Sequence, residues 1–180
     1  YSGQGANFNI IDADLQIDNK IIIGGNFTKY NDISKNYICR INPDGSIDNT
    51  FNIGTGFNDS VIKVKVLSDG KILVLGSFTN FNGITRNRII RLNEDGAIDN
   101  SFSIGLGFNY TVNDVVIQPD GKIVVCGDFS TYKGLDQKKI ALNCLDWLNK
   151  NHMEIATNPL APESNNIICI QKGDAISAIY

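Results

Sequence analysis

The sequence predicts an all-β protein made of propeller-like blades, each of four antiparallel strands, that do not close into a ring within its 180 residues. Three observations predict it. Strings recur at a spacing of about 51 residues, inside the range that marks repeat arrays and propellers. Each copy holds short apolar or alternating runs separated by Asp-Gly turns. The first two copies lack helical periodicity and are rich in β-branched residues.

The repeats run in one register. "GQGAN" from Gly3 returns as "GTGFN" from Gly54 and "GLGFN" from Gly105. "DNKIIIGGNFT" from Asp18 returns as "DGKILVLGSFT" from Asp69 and "DGKIVVCGDFS" from Asp120. "ICRINPDGSIDNTFNI" from Ile38 returns as "IIRLNEDGAIDNSFSI" from Ile89. Roughly two in five positions agree between the first two copies, far above what composition gives. The chain therefore divides into repeat 1 (1–53), repeat 2 (54–104), repeat 3 with a divergent second half (105–157), and a loop with a partial further blade (158–180).

Within repeat 2 the elements follow in order. Val61 to Leu67 alternates apolar residues with lysine, the pattern of a half-buried strand. Ser68-Asp69-Gly70 turns the chain, glycine supplying a positive φ at low cost. Lys71 to Phe78 is almost continuously apolar and predicts a strand covered on both faces. A polar loop leads to a third strand, Arg88 to Asn93. Glu94-Asp95-Gly96 then turns the chain into a fourth, near Ala97 to Phe102.

Repeat 3 departs from the pattern near Asp136. Residues 137–157 admit two readings. Two drifted strands, Ile140 to Leu145 and Met153 to Thr157, would keep the blade. Ala141, Cys144, Leu145 and Leu148 at i, i+3, i+4 and i+7 would instead give a helix. Pro159 and Pro162 mark a loop, and "NIICIQKGDAISAIY" from Asn166 predicts half of a further blade turning at Lys172-Gly173-Asp174.

The strings "DGKILVLGSFTNFNG" and "RIIRLNEDGAIDNSFSIGLGFN" resemble the delta-60 repeat, a β-propeller-like repeat found mostly in long, surface or secreted bacterial proteins. The resemblance spans roughly Gly3 to Leu135. It implies architecture and brings no shared catalytic residue with it.

Composition narrows the functional classes. Sixteen basic against nineteen acidic residues give a formal net charge of -3, which argues against a nucleic-acid surface. No apolar run approaches the roughly 18 residues of a membrane helix, so membrane insertion is not expected. The start at Tyr1 rather than Met reads as a processed product or a piece of a longer polypeptide.

The candidate chemical sites each meet a plainer structural reading. His152 is the single imidazole and falls in the divergent segment, as a loop histidine would. Cys39, Cys126, Cys144 and Cys169 lack the paired spacing of zinc or redox motifs. Cys39 and Cys126 replace Ile90 and Leu75 and read as core thiols, while a Cys144–Cys169 disulfide is the minor alternative. Asn42, Asp44 and Asp48, repeated as Asn93, Asp95 and Asp99, loosely resemble a calcium loop but are too sparse, and a hairpin must turn there. The Gly-x-Gly strings precede no helix, so they read as bends between blades and not as phosphate cradles. No cofactor, metal site or enzymatic activity is expected.

Three expectations remain. A three-residue loop centred on Asp44 places Arg40 opposite Asp48, and the same arithmetic about Asp95 pairs Arg91 with Asp99. Open blade ends should be covered by further blades or by other protein chains. Tyr30, Phe81 and Tyr132 recur in the loop after the second strand, where the rings either seal the blade or contact a glycan or protein partner. The functional expectation is a non-enzymatic structural or binding module presenting its blade loops, in a secreted or cell-surface setting. The alternatives are a component of a virus particle and a non-catalytic segment of a larger surface enzyme.

Overall fold

The computed structural model describes residues 4–117, 123–132, 135–136 and 167–171. Every regular element among them is a strand. Blade 1 is a sheet of β1 (Ile10–Leu15), β2 (Ile21–Gly25) and β5 (Ile38–Ile41), with β2 in the middle and both pairings antiparallel. A small hairpin of β3 (Lys29–Tyr30) and β4 (Ile33–Ser34) stands between β2 and β5. Blade 2 repeats the plan with β6 (Val61–Val66), β7 (Ile72–Gly76), the hairpin β8 (Asn80–Phe81) and β9 (Ile84–Thr85), and β10 (Ile89–Leu92). Blade 3 has β11 (Val112–Ile117), β12 (Ile123–Gly127) and the hairpin β13 (Thr131–Tyr132) and β14 (Leu135–Asp136).

The small hairpins lie in what the sequence presents as a plain polar loop. Asn31 and Asp32 have φ of 49° and 62°, and Asn82 and Gly83 have 49° and 79°. Two consecutive positive φ angles make the mirror-image turn whose twist matches two antiparallel strands, and Asn-Gly is its preferred pair.

The expected fourth strand shrinks to a single bridge, Ile47 to Ile41 in blade 1 and Ile98 to Leu92 in blade 2. The next residue ends it. Asp48 Oδ1 accepts from Thr50 N and Thr50 Oγ1, and Phe51 N donates to the Asp48 carbonyl, so the chain curls away after one pairing. Asp99 and Ser101 do the same in blade 2.

The strand expected to open a further blade, β15 (Ile167–Gln171), instead joins the sheet of blade 3. It lies beside β12, where β5 and β10 lie in the other blades, but runs parallel to its neighbour. Parallel pairing needs a long crossover, and the stretch between β14 and β15 supplies the length. The strand-or-helix choice over 137–157, His152, Cys144, the proposed Cys144–Cys169 bridge and the turn at Lys172 to Asp174 fall outside what is described.

Blades pack face against face. Ile22 and Ile38 of blade 1 enter one apolar cluster with Phe51, Val61, Val64, Val74 and Phe78. Leu73, Leu75 and Ile89 of blade 2 enter the next with Phe102, Val112, Val115 and Phe129. Each fully buried aliphatic or phenylalanine side chain contributes on the order of 1.5–3 kcal/mol, so the joints between blades are the core. The two joints differ in shape. A Cβ on Gly24 would run into the Val61 side chain, whereas the equivalent Leu75 is itself fully buried. Gly25, Gly76 and Gly127 serve another purpose, because a Cβ at each would strike the carbonyl of Asn9, Ser60 or Thr111 at the bulge in the first strand.

Candidate functional site

Three recurrent side-chain sets account for most of the repeated polar and aromatic positions. The first is an asparagine clasp. Asn58 Oδ1 accepts from Thr79 N and Asn80 N, both at 2.9 Å, while its Nδ2 donates to Thr79 Oγ1. Asn7 holds Thr28 and Lys29 in this way, and Asn109 holds Ser130 and Thr131. The clasp ties the connection entering each blade to the segment after its second strand. The clasp asparagines recur at Asn7, Asn58 and Asn109 at the end of the Gly-x-Gly strings, so their 51-residue spacing is the signal in the sequence that marks them.

The second set is ionic. Arg40 Nε lies 2.7 Å from Asp48 Oδ2, and Arg91 Nε lies 2.7 Å from Asp99 Oδ2. Lysine joins each pair, Lys20 at 3.1 Å from Asp48 and Lys71 at 3.0 Å from Asp99. Arg40 also donates to Thr50 Oγ1, Gln16 Oε1 and the carbonyl of Glu94, the last across the boundary into blade 2. Its guanidinium lies over the Phe51 ring, as that of Arg91 lies over Phe102. Burial alone would raise the Asp48 pKa. Hydrogen bonds from Thr50 and Lys20 and the charge of Arg40 outweigh it and hold the carboxyl well below its usual range. At Asp99, burial is likewise outweighed by Ser101, Lys71 and Arg91. Arg40, 4% exposed with all three guanidinium nitrogens engaged, is not available to an external anion, and Arg91 is committed through Nε to Asp99.

The third set is aromatic, and of the two roles the sequence leaves open, sealing the blade or contacting a partner, burial removes the contact role. Tyr30, Phe81 and Tyr132 are 8%, 2% and 8% exposed, so they do not present rings to a glycan or protein partner. Phe81 lies 4.6 Å from Phe57, which lies 4.3 Å from Phe78, and Phe108 is flanked in the same way by Phe129 and Tyr132. The bridges Phe57 to Phe81 and Phe108 to Tyr132 pull each ring inward beneath the small hairpin. Tyr30, facing Ala6 instead of a phenylalanine, uses the added space to donate from its hydroxyl to the Gly45 carbonyl.

The resemblance to a calcium loop also resolves into turn chemistry. Asp44 Oδ1 accepts from Ser46 N and Ser46 Oγ, and Asp48 is taken up by Arg40 and Lys20. Among the described residues no group of three or more His, Cys, Asp or Glu side chains is placed to hold a metal ion. Cys39 is buried in the apolar cluster of blade 1, and desolvation pushes its thiol up to about 12.

A family model for a β-propeller domain of unknown function, DUF5122, matches residues 16–51, 67–102 and 118–141. The chain belongs to this family. The matches fall on corresponding parts of the three DUF5122 repeats, beginning near the end of the first strand and running through the second. The first two also take in the third strand and the Arg–Asp pair. They support the propeller-like repeat seen in the sequence without carrying the delta-60 name. No curated protein and no solved structure matches the chain.

Proposed function

We propose that this DUF5122 chain is a non-enzymatic structural and binding module whose blades form a scaffold and whose hairpin tips meet a protein partner. The observation that carries this is the fate of the recurrent polar side chains: the clasp asparagines, Arg40, Arg91, Asp48 and Asp99 are all engaged inside the scaffold. Protein is favoured over glycan as the partner. The recurrent rings are buried, whereas the recurrent exposed groups at the hairpin tips are the aliphatic Ile33 and Ile84. A secreted or surface setting rests on the resemblance of the repeats alone.

The test is to offer the purified chain a glycan array and panels of glycoside, ester and peptide substrates. Neither turnover nor glycan retention is expected. Turnover that disappears when a residue of this chain is substituted would overturn the module reading, and saturable glycan retention would overturn the choice of partner.

A further inference from the structure

The two joints between blades differ in chemistry at the hairpin end. Each Gly-x-Gly connection is held by the asparagine that leaves the preceding hairpin. Asn36 Nδ2 donates to the Thr55 carbonyl at 2.8 Å, and Asn87 Nδ2 donates to the Leu106 carbonyl at 2.7 Å. Phe57 N and Phe108 N donate in turn to the carbonyls of Asn36 and Asn87. Both connections are therefore fastened in one way, whatever residue stands between the glycines.

One contact is not shared. The tip asparagine of each of the first two hairpins reaches back to the string that enters its own blade. Asn31 Oδ1 accepts from Gly5 N at 2.8 Å, and Asn82 Oδ1 accepts from Thr55 N at 3.2 Å and from Thr55 Oγ1 at 3.4 Å. The third copy has Lys133 at that position of the sequence, and a lysine side chain only donates. Among the described residues no acceptor meets Leu106 N, and the Leu106 side chain is 71% exposed. Thr55 turns its N–H and its hydroxyl onto the chain itself, whereas Leu106 offers an N–H without an acceptor beside an open aliphatic side chain.

The nearby charge points the same way. Arg40 and Arg91 pair with Asp48 and Asp99, and Arg88 Nη1 donates to the carbonyls of Ser77 and Phe78. Arg86, the residue before Asn87, donates to the carbonyl of its neighbour Thr85 and makes no salt bridge among the described residues. Ile84, 47% exposed at the tip of the same hairpin, adds a second aliphatic group. An exposed leucine alone is ordinary. A cation without a carboxylate and an N–H without an acceptor are both complementary to an anionic oxygen.

We infer that Ile84, Arg86 and Leu106 form a docking site for a protein segment that presents a carboxylate beside an aliphatic side chain. The carboxylate takes the Leu106 N–H and the Arg86 guanidinium, and the aliphatic side chain covers Leu106 and Ile84. This deepens the reading of the chain as a module that meets a protein partner, and it rests on that reading. The joint between blades 1 and 2 is not a second such site, because Asn82 already supplies the oxygen and Thr55 offers no aliphatic side chain of that size.

The test titrates the isotope-labelled full chain with a capped hexapeptide that alternates glutamate and leucine, and follows the backbone amide shifts. The Leu106 amide should move saturably and the Thr55 amide should stay in place. Counterparts that alternate glutamine with leucine, or glutamate with serine, should each bind about tenfold more weakly. Arg86→Gln and Leu106→Ser should each weaken the glutamate–leucine peptide by a similar factor, with the remaining amide spectrum unchanged. Lys35→Gln, at the matching position of the other joint, should leave binding as it was. Equal binding of the glutamate and glutamine peptides overturns the carboxylate assignment, and full binding by Arg86→Gln or Leu106→Ser overturns the location. No saturable shift at Leu106 with any of the peptides overturns the site. Turnover or glycan retention by the unaltered chain would instead strike the module reading, so the two failures are told apart.

Discussion

Substituting Asp48 by asparagine keeps the side-chain shape and removes the charge. In the folded protein Asp48 faces Arg40 at 2.7 Å and Lys20 at 3.1 Å, and only 6% of the residue is exposed. The amide can still accept from Thr50. Arg40, buried beneath Phe51 and blade 2, is left with neutral partners only: Thr50, Gln16 and the Glu94 carbonyl. Removing one partner of a buried pair costs about 3–5 kcal/mol. The low end applies, because three neutral acceptors remain and Lys20 can turn to water, so about 3 kcal/mol is expected. With a urea slope of about 2 kcal/mol per M, the midpoint falls by about 1.5 M. Urea unfolding followed by circular dichroism measures it. Arg40→Met in the same background supplies a cycle: once the arginine is gone, Asp48→Asn should cost less than half as much, because no buried cation is stranded. A loss under about 0.5 kcal/mol for Asp48→Asn, or strict additivity of the two changes, would refute the account.

Gly76→Ala drives a methyl group into the Ser60 carbonyl at the bulge of β6 and should cost about 1–3 kcal/mol in the same assay, whereas Gly83→Ala, with open space around it, should cost less. Asn58→Ala removes three hydrogen bonds at a solvent-exposed site, where water replaces part of them, so about 1–2 kcal/mol is expected, with faster amide exchange at Thr79 and Asn80. Asp48 and Asp99 titrate lower folded than unfolded, so their stabilisation is complete above the unfolded value near pH 4 and is lost as pH falls from there toward their depressed values. Melting temperatures should therefore fall steeply below about pH 4, and Asp48→Asn should flatten that slope.

The repeat made the fold legible because a blade's needs return at the same positions. Strand alternation, Asp-Gly turns and the Arg40–Asp48 spacing are local consequences of hairpin geometry, and each can be read within ten residues. What escaped the sequence depends on where a side chain points after folding. The sequence leaves Tyr30, Phe81 and Tyr132 open between sealing and partner contact, and only the bridges to Ala6, Phe57 and Phe108, more than twenty positions away, decide it by turning the rings inward. The clasp of Asn58 on Thr79 and Asn80 spans a similar separation. Ile98 has strand character and predicts a fourth strand, but the turn made by Asp99 and Ser101 stops pairing after one residue.

Repeats that share one plan within one chain carry a folding hazard, since a blade can pair with its neighbours out of order. The unequal joints counter it. Gly24 leaves a hollow that the Val61 side chain enters, and blade 2 fills the corresponding place with Leu75. If blade 1 docked on blade 3 and skipped blade 2, the face would lack the leucine that the third blade packs against and would leave a void there. If blade 2 met a face shaped for Gly24, Leu75 would overfill it. Order along the chain is thus written into the size of one residue per joint, so misassembled arrangements lose packing and the correct succession of blades is selected during folding.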